Sequence, residues 1–178
     1  VVAHKWADLS DAGYGVSLLN NCKYGYSIQG RKMTLSLLRS PTNPDETADR
    51  GEHRFTYALL PHAGTVVQAD TIEEAERLNR PLQVTTGRAY QGSDIFWTDS
   101  NGILVDAIKK AEDDDCLIVR VHECRGATRR FVISSEKEVR RWVVCDLREQ
   151  EFSERQEKEQ ICGTLHPFEL RTFKIWLK

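Results

Sequence analysis

The sequence predicts an all-β protein in two modules that are connected by one short helix. Short runs of alternating apolar and polar residues recur along most of the chain, and this two-residue period is typical of half-buried strands. Turn-forming residues separate the runs at fairly regular intervals, as they do in β-sandwiches. A helix is indicated in one segment, which begins at Thr71.

Three antiparallel strands are predicted in the first third of the chain. Their signals are a β-rich run from Tyr14 to Asn20, an alternation through Met33, Leu35 and Leu37, and another through Phe55, Tyr57 and Leu59. Residues 40–51, between the last two strands, contain two prolines together with Asn, Asp and Gly. Because proline lacks an amide donor and the other residues favour turns, a long loop is expected there.

The predicted helix begins at Thr71, which forms a Ser/Thr-x-x-Glu capping box with Glu74. Its apolar face consists of Ile72, Ala75 and Leu78. Pro81 lacks the amide donor that a further turn would need. The helix is therefore expected to end before Pro81, after about two turns.

The helix divides the chain into a first module at residues 1–66, a linker at residues 67–81 and a second module at residues 82–178. Strands of the second module are predicted at Leu82 to Thr85, Leu117 to Val121, Phe131 to Ser134, Trp142 to Asp146, and along Phe173, Ile175 and Leu177. The spacing of Leu104, Ala107, Ile108 and Ala111 fits a helix as well as a strand, but the acidic run at residues 112–115, followed directly by an apolar run, favours a strand, a turn and a second strand. Residues 148–160 are almost wholly polar and are expected to form a solvated loop.

The composition excludes several classes of partner. The formal net charge is only -2, so no strong field would attract nucleic acid or an anionic membrane. No apolar run approaches the roughly 20 residues that a membrane helix needs. The first residues lack both an initiator Met and a signal peptide, which predicts a segment of a longer protein.

Cysteine usage predicts a reduced, cytoplasmic protein. The five cysteines are Cys22, Cys116, Cys124, Cys145 and Cys162. They are odd in number and contain no Cys-x-x-Cys pair, which argues against a disulfide framework and against a zinc site. We therefore expect buried or half-buried thiols that act as small hydrophobic residues.

No catalytic constellation is visible in the residues. The carboxylates of Asp8, Asp11, Asp45 and Asp49 fall at predicted turns, where they are expected to accept bonds from nearby amides. The five histidines have no metal-ligand spacing, and no nucleophile or phosphate-binding motif is present. The chain is therefore expected to be a structural or binding module with no catalytic residue and no metal site.

Aromatic residues could form a sugar platform, because their rings stack on the apolar faces of pyranoses. The candidates are Trp6, Tyr14, Tyr24, Tyr26, Tyr90, Phe96 and Trp97. Core packing is the alternative role for each of them. One turn combines polar and aromatic side chains just after a strand, and we predict its residues Asn20, Asn21, Lys23 and Tyr24 to bind substrate.

The same turn belongs to a succession of segments that carries a family resemblance. The segments are residues 4–10, 14–26, 35–41, 48–62, 107–113, 119–123, 145–149 and 167–172. They resemble the late β-domains of cytosolic and bacterial α-mannosidases of glycoside hydrolase family 38. The resemblance implies that the first module supplies the closing strands of a β-supersandwich, and that a small antiparallel β-sandwich follows.

The resemblance also implies a parent enzyme that hydrolyses α-linked mannosides with retention, using an Asp nucleophile and a zinc ion. In that family both the nucleophile and the zinc ligands lie upstream, so this chain is expected to hold neither. The implied partners are the catalytic domain of the full-length chain and mannose-containing carbohydrate, with a homo-oligomer as a further option. The alternative functions are a stand-alone carbohydrate-binding β-sandwich module and an oligomerisation platform.

Overall fold

A computed structural model of the protein describes residues 2–84, 86–87 and 95–178. The chain divides into two compact units, Val1–Gly87 and Arg88–Lys178. The described residues form twelve strands, which pair antiparallel, and one helix. This composition confirms the all-β fold class. Within the same residues, no helix is long and apolar enough to cross a membrane.

The first unit is built on a three-stranded sheet. Its elements are β1 (Trp6–Ser10), β2 (Tyr14–Asn20), β3 (Tyr26–Gln29), β4 (Lys32–Leu35), β5 (Tyr57–Ala63) and helix α1 (Thr71–Asn79). The sheet has the order β1-β2-β5, while β3 and β4 form a separate hairpin. Strand β2 has the predicted bounds.

The central strand β2 separates two packing layers. Successive side chains of a strand point to opposite faces, so Ser17 and Leu19 lie on one face and Leu18 lies on the other. Helix α1 covers the first face, where the side-chain oxygens of Thr71 and Ser17 are 2.7 Å apart. The β3–β4 hairpin covers part of the second face, where Tyr26 belongs to the same buried cluster as Leu18.

The start of helix α1 differs from the prediction. Its N-cap is Asp70, and no side-chain bond caps the helix. The predicted capping box of Thr71 with Glu74 is therefore wrong. The Thr71 side chain is fully buried and its hydroxyl contacts Ser17, because the sheet beneath the helix offers it a polar partner.

Two predicted strands of the first unit are shifted. Strand β4 ends two residues before Leu37, and β5 begins two residues after Phe55. Along β5, Tyr57 and Leu59, which are apolar members of the predicted alternation, are 55% and 66% exposed. Helix α1 covers the opposite face of the sheet. The more buried side chains of β5 are therefore Ala58, Leu60 and His62, which alternate with the predicted apolar positions.

The second unit is a sandwich of two antiparallel sheets. Its strands are β6 (Phe96–Thr98), β7 (Ile103–Lys110), β8 (Leu117–Glu123), β9 (Arg129–Ser135), β10 (Val139–Cys145), β11 (Ile161–Leu165) and β12 (Leu170–Leu177). The sheet orders are β10-β12-β8-β7 and β11-β9-β6. Their facing side chains share one core, in which the Phe173 ring lies 5.9 Å from Phe131 and 5.7 Å from Trp142.

Two predictions for the second module are wrong. The described part of the strand predicted at Leu82 to Thr85 has no strand structure, and Leu82 and Val84 are almost fully exposed. The segment 148–160 is not simply a solvated loop, because Glu149 is buried and its carboxylate accepts a bond from the Glu112 amide at 2.9 Å. Bridges at residues 151 and 156 also join this segment to β10.

The cysteines are free thiols with varied burial. Cys116 and Cys145 are buried and Cys124 is half-buried, as predicted, whereas Cys22 and Cys162 are exposed. Burial raises the pKa of the Cys145 thiol to about 11. That thiol is therefore protonated at neutral pH and acts as a small core residue.

Candidate functional site

Asn20 organises the predicted turn from the inside. Its side chain is buried, and its Oδ1 accepts bonds from the amides of Cys22, at 2.9 Å, and Lys23. Its Nδ2 donates to the His4 carbonyl at 3.2 Å and also contacts the Tyr26 hydroxyl. These contacts give Asn20 a structural role, which is to hold the backbone of the turn in place.

Asn21 anchors the same turn to the segment before β5. Its amide donates to the Thr56 carbonyl at 3.2 Å, and its Oδ1 accepts a bond from the Thr56 amide at 2.9 Å. The residue is exposed. Local residue patterns do not indicate this contact, because 35 positions separate the two partners.

Lys23 and Tyr24 are the members of the turn that supply an ammonium group and an exposed ring. The Lys23 Nζ lies 4.8 Å from the ring centroid of Phe55, a distance at which a cation is attracted to an aromatic face. Tyr24 is 55% exposed, and its ring meets His4 edge to face at 5.4 Å. A ring beside hydrogen-bond donors can stack on a sugar and bond its hydroxyls.

The other candidate aromatics divide by burial. Tyr26 and Phe96 belong to buried core clusters, so core packing describes these two, and Trp6 and Trp97 are half-buried. Tyr14 is 58% exposed. Tyr90 lies outside the described residues.

A buried polar network lies beneath helix α1 and was not predicted. The Asp8 carboxylate contacts His62 Nε2 at 2.7 Å and accepts a bond from Ser17 Oγ at 2.7 Å. It also accepts a bond from the Ser10 hydroxyl at 2.5 Å. The side chains of Asp8 and His62 are only 6% and 7% exposed. Asp8 therefore does not belong to a turn, because it lies within β1 and pairs with a residue of β5.

The charges of this network are fixed by its own contacts. Burial would raise the pKa of Asp8, but the bonds from Ser10, His62 and Ser17 outweigh burial and hold it below the usual value. The bond to Asp8 raises the pKa of His62 above its usual value. The pair is therefore an internal ion pair at mildly acidic pH.

Gly15 makes room for the histidine of this network. A Cβ atom at Gly15 would lie 2.4 Å from His62 Cε1 and 2.3 Å from the Ser10 Cβ. Such distances are far below van der Waals contact, so a larger residue would displace the ring. The glycine thereby keeps the imidazole within reach of Asp8.

The other three turn carboxylates behave as predicted. Asp11 accepts bonds from the amides of Gly13 and Tyr14, Asp45 accepts one from Thr47, and Asp49 accepts one from Ser40. These backbone bonds lower the pKa of each carboxyl group. All three aspartates shape loops.

Glu123 is a fully buried carboxylate at the end of β8. It accepts bonds from the amides of Arg125 at 3.0 Å, Gly126 at 2.8 Å and Phe168 at 3.1 Å. Arg129 Nε lies 3.2 Å from the same carboxylate. Burial would raise the pKa of Glu123, but these amide donors outweigh burial and lower it. The ionised side chain therefore joins two turns of the sandwich.

No three His, Cys, Asp or Glu side chains among residues 2–84, 86–87 and 95–178 lie close enough together to hold a metal ion. His122, for example, pairs with Asp106 at 2.8 Å across β7 and β8. A zinc site does not fit these residues.

The chain matches two C-terminal domain families. Residues 1–47 match the model described as "Glycosyl hydrolases family 38 C-terminal domain". Residues 102–173 match the model described as "Glycosyl hydrolases family 38 C-terminal beta sandwich domain". The first match covers most of the sheet of the first unit, and the second covers most of the sandwich.

Curated relatives are much longer than this chain. The chain is 39% identical to Alpha-mannosidase G of Dictyostelium discoideum, with 98% of this chain and 17% of that protein covered. It is 36% identical to Alpha-mannosidase 2C1 of Mus musculus, with 100% of this chain and 18% of that protein covered. The chain therefore spans less than a fifth of the length of these relatives.

A solved structure shares the fold. The crystal structure of an alpha-mannosidase from Enterococcus faecalis V583 superposes with a TM-score of 0.75 over 98% of this chain and 21% of that chain. The sequence identity is 18%, so this similarity concerns the fold alone.

Proposed function

Because this chain belongs to the C-terminal β-domains of glycoside hydrolase family 38, we propose that it is the non-catalytic C-terminal part of a retaining, zinc-dependent α-mannosidase. The observation that carries the proposal is the match of both units to C-terminal domains of one family. The same relatives contain several times more polypeptide than this chain, which leaves room for a catalytic domain elsewhere.

The contacts of the buried carboxylates favour a structural, non-catalytic role for this chain. A glycosidase needs two carboxyl groups that face a common sugar site. Here the buried Asp8, Glu123 and Glu149 are engaged with histidine, amide or lysine partners inside the fold. These three carboxylates therefore have structural partners, and the proposal assigns the nucleophile and the zinc ligands of the parent enzyme to residues outside this chain.

The role of the first unit is to present its turn at the rim of the sugar site. Asn20 and Asn21 fix the backbone of the turn, and Lys23 and Tyr24 supply the groups that would meet substrate. The free cysteines of this chain are typical of a reducing compartment, so we assign the parent enzyme to the cytoplasm.

The first expected result concerns activity. This chain alone should hydrolyse an aryl α-mannoside at least about a thousandfold more slowly than the complete protein, because it lacks the nucleophile and the metal. Initial rates measured at equal molar concentration test this. A rate for the chain equal to that of the complete protein would show that catalysis resides here.

Metal removal provides the control for that experiment. A chelator should abolish hydrolysis by the complete protein, and zinc should restore it. The unfolding midpoint of this chain should not move with the same chelator, because the zinc ligands are assigned elsewhere. A chelator-resistant complete enzyme would contradict the zinc dependence.

The second expected result concerns Tyr24. In the complete protein, Tyr24→Ala should raise the KM for an oligomannoside about threefold to tenfold, because a ring that stacks on the sugar is lost. The kcat should stay within about twofold, since the ring does not touch the reacting atoms.

Tyr14→Ala is the matched control for Tyr24→Ala. Tyr14 and Tyr24 are similarly exposed, at 58% and 55%, and Tyr14 lies at the opposite end of β2 from the turn. Its substitution should leave KM unchanged. Equal changes in KM for the two substitutions would contradict the placement of the turn at the rim of the sugar site.

A stand-alone carbohydrate-binding module is the second candidate function. The exposure of Tyr24 beside Lys23 and His4 favours it. Calorimetric titration of this chain with mannose oligosaccharides separates the two functions. Binding in the micromolar range by the chain alone would support the stand-alone module. A supporting domain should show no such binding by itself, because the catalytic domain supplies most contacts to the sugar.

A further inference from the structure

The connection between β10 and β11 covers the outer edge of β10, which is the end strand of its sheet. This connection is residues 147–160, and we name it the strap. The Trp142 amide donates to the Gln156 carbonyl at 3.0 Å, and the Gln156 amide donates to the Trp142 carbonyl at 2.7 Å. An isolated bridge also pairs Cys145 with Glu151. The strap therefore occupies backbone groups that a bare edge would offer to another strand.

The strap gains little stability from apolar burial. Its two apolar residues are Leu147 and Phe152, which are 61% and 69% exposed. The buried core cluster of the sandwich draws its members from the seven strands and contains no residue of the strap. Because apolar burial is the main source of stability in a fold, the two sheets do not depend on the strap for their packing.

Two lysines lie close together on the outer face of the sheet. Lys109 on β7 and Lys174 on β12 are both opposite Ile118 of β8 in the register. Phe173, next to Lys174, belongs to the core between the sheets, so Lys174 points away from that core. Lys174 is nevertheless only 6% exposed, and its ammonium group contacts Asp114. A buried ammonium group is stable only with such partners.

The strap brings two carboxylates to these two lysines. The Glu149 carboxylate lies 2.7 Å from Lys109 Nζ and accepts a bond from the Glu112 amide at 2.9 Å. The Glu151 carboxylate lies 4.0 Å from Lys174 Nζ. The Lys109 side chain is 41% exposed, so dissolved salt can screen its pairing with Glu149.

Arg155 adds a further electrostatic contact. Its guanidinium carbon lies 5.2 Å from the ring centroid of Trp176 on β12, within the range at which a cation is attracted to an aromatic face. The same guanidinium bonds both oxygens of Glu151 at 2.9 Å. The side-chain contacts of the strap with the sheet are therefore mainly those of charged groups.

The backbone of the strap is strained at Glu149. Its φ is 66°, in the left-handed region that residues other than glycine rarely adopt. Such a conformation persists only where surrounding contacts hold it. Here the contacts are the ion pair with Lys109 and the bond from the Glu112 amide. Their loss would let the backbone relax and would favour release of the strap.

We propose that the strap is a releasable cover, which detaches from β10 and from the outer face of the sheet when its ion pairs are screened, while the two sheets stay folded. Release uncovers the edge of β10 and the buried thiol of Cys145. This conformational change goes beyond the proposed function and does not depend on it. It makes the accessibility of this edge a function of ionic strength.

Native-state hydrogen exchange of this chain at low and high sodium chloride tests the release. Between about 0.05 M and about 0.5 M salt, the Trp142 amide should exchange about tenfold faster, because screening weakens the ion pairs. The amides of β8, which lies between β7 and β12, should change by less than about twofold, since they exchange only when the sandwich opens. An unchanged Trp142 amide, or an equal acceleration in β8, would overturn the inference.

Thiol labelling under the same conditions tests the cover. A maleimide should label Cys145, which is buried, about tenfold faster at high salt, because labelling requires an exposed thiol. Cys162 is exposed, and its labelling rate should stay within about twofold. Labelling of Cys145 as fast as that of Cys162 at low salt would show that the strap does not cover this thiol, and it would also overturn the inference.

Glu149→Gln provides the matched substitution. At low salt it should raise the exchange rate of the Trp142 amide and the labelling rate of Cys145 about tenfold, because the amide keeps the size of the side chain but loses the charge that faces Lys109. The further effect of salt should then be smaller. Glu157→Gln, at an exposed position of the same strap, should change neither rate. Wild-type rates in Glu149→Gln, or faster exchange throughout β8, would refute a strap that is held separately by charge.

Discussion

Glu123→Gln should lower the free energy of unfolding of the second unit by about 3 kcal/mol, because it removes a buried charge whose partners are left unsatisfied. The carboxylate accepts amide bonds from the turn after β8 and from Phe168, and it contacts Arg129. A neutral amide accepts these bonds less strongly, and its own N–H groups would face other donors. Urea unfolding at neutral pH, followed by tryptophan fluorescence, measures the loss.

Glu157→Gln is the matched control, because Glu157 is exposed and its substitution should change stability by less than about 0.5 kcal/mol. Equal losses for the two variants would refute the structural role of Glu123.

The pH dependence has a definite sign. The folded-state pKa of Glu123 is lowered, so its contribution is present above the unfolded value, 4.5, and is lost as pH falls through the folded value. The difference between the wild type and Glu123→Gln should therefore shrink on acidification.

His62→Phe should destabilise the first unit by about 3 kcal/mol, because it leaves the buried Asp8 carboxylate without its cationic partner. The phenyl ring fills a similar space to the imidazole. The loss of stability is therefore due mainly to the missing contact with Asp8, and little of it is due to a cavity. The serine hydroxyls that also bond Asp8 would remain but carry no charge. Hydrogen exchange of the β1 and β2 amides measures the loss within this unit.

His53→Phe is the control for this substitution. His53 is exposed, and its ring contacts the Asp49 backbone carbonyl at 2.9 Å. Its substitution should change stability by less than about 0.5 kcal/mol. A loss equal to that of His62→Phe would show that the buried ion pair contributes little.

The pair acts in a definite pH window. The folded-state pKa of His62 is raised, so its contribution is complete below the unfolded value, 6.5, and is lost as pH rises through the folded value. The folded-state pKa of Asp8 is lowered, so its contribution is present above 3.8 and is lost at lower pH. The effect of His62→Phe should therefore be largest between these two values, and a pH-independent effect would contradict the ion pair.

Local patterns predicted the strands well where burial followed the alternation of the chain. Strand β2 has its predicted bounds, and the ambiguous segment from Leu104 lies in a strand as far as Lys110, where β7 ends. The run at Leu82 to Thr85 has equally apolar residues, yet its described residues form no strand. A short apolar run carries no information about whether a neighbouring strand will pair with it.

The candidate turn was predicted as one group, but the structure gives its members different tasks. Asn20 is buried and bonds the backbone, whereas the half-buried Lys23 places its ammonium over the Phe55 ring and Tyr24 is exposed. The sequence of a turn shows which residues are neighbours, but it does not show which of their side chains is buried. Here Asn20 is the buried one, because His4 and Tyr26 pack around it.

The sequence by itself determined the all-β class and the place of the helix, because both depend on residue order and local periodicity. The tertiary structure alone decided which face of β5 is covered, and it brought Asp8 to His62 across 54 positions and Glu123 to Phe168 across 45. Such contacts arise when distant strands pair and exclude water. A buried charge is then stable only where the fold supplies its partners.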